Sequence, residues 1–167
     1  MSSAGTRAIA LLRRSGIAHE VHAYEPAERH GSARADRPAY GFEAATALGI
    51  DPHAICKTLV VEADGELMVA ILPADAELDL RRFAGAVGAR RATLAEPRVA
   101  ERATGYVVGG ISPLGTTRRL RTVVDATTLE LERVHVSAGR RGLQVELSPA
   151  DLVTATGSTV ADISRPV

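Results

Sequence analysis

Two apolar, β-branched stretches on either side of Asp64-Gly65 constrain the fold of this chain more than any other feature of its sequence. The first stretch covers residues 55–63, and the second runs over residues 66–72 to Pro73. An Asp-Gly pair between two such stretches favours a tight turn with positive φ angles, which joins antiparallel strands. The pattern therefore predicts a β-hairpin over residues 55–72.

Helix signals lie on both sides of this hairpin. Three segments with a helical pattern each have a side chain near their start that can cap a helix. These side chains are Thr6, Asp79 and Ser148. Helices are predicted between Thr6 and Gly16 and over residues 40–49, 78–89, 94–105 and 149–155.

Further strands are predicted at residues 17–24, 106–108, 120–127, 131–139 and 142–148. The strands, about six or seven in all, do not alternate strictly with the helices, which favours an α+β fold over a doubly wound one. We expect a single domain over residues 1–167, with a mixed, mostly antiparallel β-sheet or a partly closed barrel surrounded by helices. Residues 25–38 are rich in charge, Gly and Pro and are predicted to form a mobile loop.

Composition limits the class of protein. The 167 residues are 46% hydrophobic but only 3% aromatic, so aliphatic side chains must build the core. The single cysteine, Cys56, excludes an intramolecular disulfide, and no segment approaches the ~20 apolar residues of a membrane span, as expected of a cytoplasmic protein. The net charge is zero, with 20 basic and 20 acidic residues, so any RNA contact must be local, weak or assisted by a partner.

Lys57 is the only lysine among the 20 basic residues. On a strand its side chain shares a face with those of Ile55 and Leu59, so it is a cation on an apolar face. Such a lysine either protects a sheet edge against aggregation or is held in a pocket against an anion. Arginine would protect an edge equally well, which favours the pocket.

A glycine-rich segment, Gly109-Gly110-Ile111-Ser112, directly follows the apolar residues 106–108. Glycines let the backbone approach a ligand closely, and successive amides with a serine hydroxyl can bind a phosphate or polarise a carbonyl oxygen. The spacing matches neither a Walker loop nor a dinucleotide-binding fingerprint. An ordinary turn between strands is the alternative interpretation.

Arginine clusters are candidates for contact with the phosphates of an RNA end. Solvated protein surfaces carry such clusters as well, so both interpretations stay open. The candidates are Arg118, Arg119, Arg121, Arg140 and Arg141.

The cysteine and the histidines are weaker candidates. Cys56 points to the face opposite Lys57, which favours a buried structural cysteine over a thiol nucleophile. The five histidines show no metal-ligand spacing, and His19 and His22 fall on opposite faces of a strand. Neither a metal nor a cofactor is expected.

The segments at residues 56–61 (CKTLVV), 105–115 (GYVVGGISPLG) and 136–153 (VSAGRRGLQVELSPADLV) resemble the YbaK family of aminoacyl-tRNA deacylases. The similarity extends over residues 8–163. It implies an editing domain that hydrolyses tRNA carrying the wrong amino acid, most characteristically cysteine attached to proline tRNA. The resemblance assigns catalysis to Lys57, Gly110 and Ser112, and substrate binding to Tyr24, Gly109, Ile111, Ser137 and Gln144.

Two departures accompany the resemblance. Close relatives tend to carry Asp where this chain has Gln144, and the loop at residues 25–38 is longer than is usual in the family. The identity of the amino acid is therefore less firmly implied than the fold.

The resemblance also implies how the ester is cleaved. The thiol of the substrate's own cysteine attacks the ester, and the cysteine leaves the tRNA as a thiolactone. The protein therefore needs no nucleophilic side chain. The protein instead supplies position and charge, with amides of residues 110–112 on the carbonyl oxygen and Lys57 on the 3′-terminal nucleotide. The implied partners are an aminoacylated tRNA 3′ end and prolyl-tRNA synthetase.

Three alternatives stay open. The first is deacylation of Ala-tRNA(Pro), where water must attack because the substrate has no thiol. The second is a non-catalytic module that binds an RNA 3′ end or a synthetase surface. The third is an interaction domain whose arginines bind an acidic partner.

Overall fold

The computed structural model describes residues 5–26 and 40–167, and its longest strands form the predicted hairpin. Strands β2 (Cys56–Ala63) and β3 (Glu66–Pro73) pair antiparallel over their whole length. The turn residues Asp64 and Gly65 take φ angles of 48° and 86°, the combination that a two-residue turn of this kind requires. The Asp64 carboxylate accepts hydrogen bonds from the amides of residues 90 and 91, at 2.9 and 3.1 Å, which fixes the turn.

The hairpin lies in a sheet with the strand order β5-β2-β3-β6-β9. The added strands are β5 (Ala92–Leu94), β6 (Arg121–Asp125) and β9 (Thr159–Ala161). Strand β5 is antiparallel to β2, whereas β6 runs parallel to β3 and β9 runs parallel to β6. The central strand β3 sends alternate side chains into two separate apolar cores, so the sheet is covered on both faces.

A second sheet has the order β1-β8-β7, with β1 (Glu20–Ala23), β8 (Leu143–Leu147) and β7 (Val134–Arg140) antiparallel throughout. An isolated bridge between Ile55 and His135 connects this sheet to the start of β2. The remaining strands, β4 (Ala76–Leu78) and β10 (Ser164–Pro166), form a short antiparallel pair.

Helices cover these sheets, and the predicted caps are confirmed. The side chains of Thr6, Asp79 and Ser148 each accept a hydrogen bond from an amide in the first turn of a helix. The helices are α1 (Arg7–Arg14), α2 (Tyr40–Leu48), α3 (Leu80–Val87), α4 (Pro97–Thr104) and α5 (Pro149–Thr156), with short 3-10 helices at Pro52–Ala54 and Ala126–Glu130.

The two cores share the central sheet. One core packs Ile9 and Leu12 of α1 against Val136 and Val145 of the three-stranded sheet, and all four side chains are fully buried. The other core surrounds Phe83 of α3 on the opposite face of the five-stranded sheet. Burial of these apolar side chains supplies the main favourable free energy of folding.

The predicted α+β class with mixed, mostly antiparallel strands is confirmed, and the sheets are not closed into a barrel. The structure describes ten strands, which is more than the six or seven expected. The sequence did not indicate β4, β5, β9 and β10, which contain only three residues each. Three residues are too few to show a period in the sequence.

The strand predicted at residues 106–108 is wrong. Its polar groups bind helix α4 and the following loop instead of another strand. The Tyr106 hydroxyl donates to the Leu114 carbonyl at 2.6 Å, and the Val108 amide donates to the Glu101 carboxylate at 2.9 Å. The segment is therefore an irregular connection that is anchored at both ends.

Two further expectations concern the loop and the membrane. Residues 27–38 of the predicted loop at 25–38 lie outside the described residues. Across the part of the chain that the structure describes, no helix combines the length and the apolar character needed to span a bilayer.

Asp125 provides a test of how the last strands are held. Its buried carboxylate accepts hydrogen bonds from the Ile163 amide at 2.9 Å and from the Ser164 hydroxyl at 3.0 Å. We predict that Asp125→Ala lowers the free energy of unfolding by about 2–3 kcal/mol, because buried donors lose their acceptor. Urea denaturation checks this, with the exposed Asp162→Ala as control; equal midpoints for the two variants would contradict it.

Candidate active site

A cavity of about 660 Å³ opens where the start of β2, the first turn of α2 and the loop after α4 meet. Strands β7 and β8 supply one wall, because the Ile55–His135 bridge brings the second sheet against the start of β2. The cavity brings together most of the predicted site residues. These are Tyr24, Lys57, Gly109, Ile111, Ser137 and Gln144.

Lys57 is a half-buried cation in the wall of this cavity. Burial lowers the pKa of its ammonium group, and the carboxylates of Glu77 and Asp75 partly oppose that shift. No carboxylate among residues 5–26 and 40–167 approaches Lys57 closely enough to form an ion pair. An ammonium group that is partly desolvated and lacks a close partner is poised to bind an anionic or polar ligand.

Gly110 holds the glycine-rich loop against the second sheet. A Cβ atom at this position would lie 2.4 Å from the Cα of Arg140, so no larger residue fits without movement of the backbone. The Gly110 amide donates to the Val107 carbonyl at 2.9 Å. Gly110 thus acts through close packing and lies outside the cavity lining.

The neighbours of Gly110 are placed differently. Gly109 and Ile111 line the cavity, and their amides have no acceptor among the residues that the structure describes. Ser112 is fully buried behind them, where its hydroxyl accepts a hydrogen bond from the Leu114 amide at 3.1 Å. The Ser112 side chain therefore stabilises the turn, and it does not reach the cavity lining.

Two polar side chains in the lining have an unused hydrogen-bonding atom. Gln144 is 7% exposed, and its Oε1 atom has no hydrogen-bond partner among the described residues; the same is true of Thr58 Oγ1. Buried polar atoms without partners are rare in folded proteins because they lose hydration without compensation. Both atoms are covered in this structure, so a ligand in the cavity would reach them only after a rotation of the side chain.

The side chains that could act as nucleophiles are poorly suited to that role. Burial raises the pKa of the Cys56 thiol to about 12, which keeps it protonated and unreactive. The Ser137 hydroxyl accepts a hydrogen bond from the Gly139 amide at 3.1 Å, and burial raises the pKa of Tyr24. No histidine occurs among the described residues of the lining to act as a general base for them.

The arginine candidates divide into two sets. Arg118, Arg119 and Arg121 are exposed and lie outside the cavity lining. Arg140 is also exposed, whereas Arg141 forms an ion pair with Glu43 of α2 at 2.6 Å and lies over the Tyr40 ring. Arg141 therefore connects α2 to the β7–β8 turn.

The sequence did not indicate several cavity residues. Thr58 and Glu77 add polar groups to the lining, and Phe42, Leu94 and Val108 add apolar side chains that are 40–50% exposed. Their separation along the chain leaves no local motif. Among the described residues the lining contains no group of side chains suited to a metal, although one such group lies beside it on the three-stranded sheet.

Comparisons with known proteins identify the family of this chain. The chain is 30% identical over 160 residues to EbsC of Enterococcus faecalis, covering 95% of this chain and 93% of that protein, whose assignment as a Cys-tRNA(Pro)/Cys-tRNA(Cys) deacylase is provisional. It is 34% identical over 163 residues to the multifunctional Ser/Thr-tRNA deacylase ProXp-y of Escherichia coli K12. The match covers 95% of this chain and 92% of that protein.

A solved structure, described provisionally as a trans-editing enzyme for prolyl-tRNA synthetase, has the same fold. Its TM-score is 0.81 at 25% identity, with 99% of this chain and 98% of that chain covered. The model of the aminoacyl-tRNA editing domain matches residues 37–155, which include Lys57, the glycine-rich loop and the wall formed by β7 and β8. This chain therefore belongs to the aminoacyl-tRNA editing domain family.

Proposed function

We propose that this protein is a trans-editing enzyme that removes cysteine from mischarged Cys-tRNA(Pro). The observation that carries the proposal is Lys57, a partly desolvated ammonium group in a cavity, without an ion-pair partner among the described residues. The 3′ end of tRNA offers phosphate and ribose oxygens that match this cation. EbsC, which is similar over nearly its whole length, supports the choice of cysteine.

The shape of the cation explains why position 57 is lysine. An ammonium group is compact and directs its three donors freely, whereas a guanidinium group is planar and wider. In the proposed complex Lys57 holds the 3′-terminal nucleotide. The exposed ring of Phe42 at the edge of the same cavity offers a surface on which the terminal base can stack.

The ester carbonyl is placed at the glycine-rich loop. Gly109 and Ile111 line the cavity and their amides have no acceptor among the described residues, so in the proposed complex these amides donate to the oxyanion that forms during cleavage. Gly110 and Ser112 support this geometry from behind. Close packing of Gly110 against Arg140 holds the loop, and the Ser112 hydroxyl fixes its turn.

The aminoacyl group lies against β7, β8 and β2 in this arrangement. After a rotation of its side chain, Gln144 Oε1 accepts a hydrogen bond from the α-ammonium group of the substrate, and Thr58 belongs to the same lining. Tyr24 and Ser137 complete this end of the cavity. A neutral amide at position 144 recognises the ammonium group through its oxygen without adding charge.

Bond cleavage then uses the substrate's own thiol. The cysteine sulfur attacks the ester carbonyl, the bond to the ribose oxygen breaks, and the thiol proton passes to that oxygen. The products are a four-membered thiolactone, which water opens to cysteine, and uncharged tRNA. This route agrees with a site whose own Cys56 has a pKa raised to about 12 and whose described lining contains no histidine.

Selection of the tRNA body is assigned to surfaces outside the cavity. The exposed Arg118, Arg119, Arg121 and Arg140 are the proposed phosphate contacts. The net charge of zero favours weak intrinsic affinity for tRNA, so we propose prolyl-tRNA synthetase as a partner that supplies the mischarged tRNA in the cytoplasm.

Some of these observations also support two other substrates. Ala-tRNA(Pro) would require water as nucleophile, since alanine has no thiol. A hydroxyl-bearing amino acid is favoured by the unpartnered atoms of Gln144 and Thr58 and by the similarity to ProXp-y.

Substitution of Lys57 tests the site. We predict that Lys57→Ala and Lys57→Arg each lower kcat/KM for release of labelled cysteine from Cys-tRNA(Pro) about 10- to 100-fold, a loss of about 1.4–2.7 kcal/mol of transition-state stabilisation. The exposed Arg14→Ala, which also removes one positive charge, should retain wild-type activity. Wild-type rates in Lys57→Ala would refute the assigned role of this residue.

Changing the amino acid on the tRNA tests the chemistry. Ser-tRNA(Pro) differs from the cysteine ester by one atom, and Ala-tRNA(Pro) lacks a heteroatom at that position. We predict that the wild-type protein deacylates Cys-tRNA(Pro) about 100-fold faster than either, because only sulfur cyclises readily. Comparable rates for all three substrates would indicate attack by water, and no release above the spontaneous rate would indicate a non-catalytic binding module.

A further inference from the structure

Three side chains that can bind a metal ion share one face of the β1-β8-β7 sheet. They are His22 on β1, Glu146 on β8 and His135 on β7. Along β8, Leu143, Val145 and Leu147 point into the apolar core, so Glu146 points away from it. His135 stands directly opposite Glu146 in the ladder, and His22 lies on the other side of the same strand.

The ligand atoms of these side chains converge. His22 Nε2 lies 2.8 Å from Glu146 Oε1, and His135 Nε2 lies 3.6 Å from the same oxygen. The ligand atoms of all three residues lie within 4.8 Å of one another, and the two imidazole rings are 5.6 Å apart between centroids. Small adjustments of the side chains would place all three atoms around one ion at the usual ligand distances of about 2.0–2.2 Å.

The surroundings favour a bound ion over a plain hydrogen-bond network. Arg133 binds the other oxygen of Glu146, Oε2, at 3.1 Å and so leaves Oε1 directed at the two rings. His135 is 6% exposed, its Nδ1 has no partner among the described residues, and 3.6 Å is too long for a hydrogen bond from its Nε2. The Ala54 backbone also lies near the ring, but no contact to Nδ1 has hydrogen-bond geometry, so the described residues leave this nitrogen of the buried imidazole unsatisfied.

The donor set selects a class of metal. Two imidazole nitrogens and one carboxylate oxygen suit zinc and neighbouring divalent transition ions better than calcium or magnesium, which prefer oxygen ligands alone. Water or the exposed Glu20 carboxylate, 3.9 Å from His22 Nε2, can complete a tetrahedral set. We propose that His22, His135 and Glu146 bind a zinc-type divalent ion that cross-links the three strands.

This ion would support the cavity without entering the reaction. Ser137 and Gln144 lie two residues along the same strands on the same face, which corresponds to roughly 7 Å. A cross-link there would hold β1, and with it Tyr24, against the wall that carries Gln144. The inference rests on the geometry of the three strands and does not depend on the deacylase activity.

Titration with Co²⁺ tests this site directly, since the ion's visible absorption reports ligation by nitrogen and its geometry. Metal-free, tag-free protein should bind Co²⁺ at a stoichiometry of one, and Zn²⁺ should displace it. We predict that His22→Ala and the nearly isosteric Glu146→Gln each weaken binding at least about 10-fold. His53→Ala is the matched control, because the His53 side chain pairs with Asp75 and is not one of the three ligands of the cluster.

Two results would overturn the proposal. One is the absence of stoichiometric binding to folded wild-type protein. The other is equal affinity in His22→Ala, Glu146→Gln and His53→Ala, which would indicate scattered surface binding. Circular dichroism of each variant confirms that the fold is intact, and a deacylation assay run in parallel keeps failure of the metal site distinct from failure of the proposed function.

Discussion

The register of β2 on β3 is the constraint on which the site depends. Because side chains alternate between the faces of a strand, a slip of one residue would move Lys57 out of the cavity wall. The turn at Asp64 and Gly65 and the burial of alternate β3 side chains in two cores prevent such a slip. A burial pattern that satisfies two cores thus also places one partly desolvated ammonium group beside a cavity.

The second sheet completes the cavity in which Lys57 lies. The Ile55–His135 bridge brings β7 against the start of β2, and the close contact between Gly110 and Arg140 brings the glycine-rich loop to the same place. Ser137 and Gln144 then line the same cavity as Lys57. Neither sheet contains the site alone, which explains why residues far apart in the chain must be read together to find it.

Local signals in the sequence predicted the elements that local physics determines. The hairpin and the helix caps at Thr6, Asp79 and Ser148 follow from turn geometry and from unpaired amides at helix ends. The strand expected at residues 106–108 was wrong because helix α4 and the following loop bind its polar groups. Long-range packing determines the burial of Ser112 and the meeting of His22 with His135. The spacing of His22, His135 and Glu146 along the chain does not indicate that they meet, because the cluster is assembled across three strands.

The central claim is that the cavity between Lys57 and the glycine-rich loop receives the aminoacylated 3′ end of tRNA. A crystal structure with an adenosine carrying cysteine through a non-hydrolysable 3′-amide link tests it most directly. The account predicts the amide carbonyl near the Gly109 and Ile111 amides, the ribose oxygens near Lys57, and the α-ammonium group at Gln144. An analogue bound on the surface around Arg118, Arg119 and Arg121, with the cavity left to solvent, would contradict it.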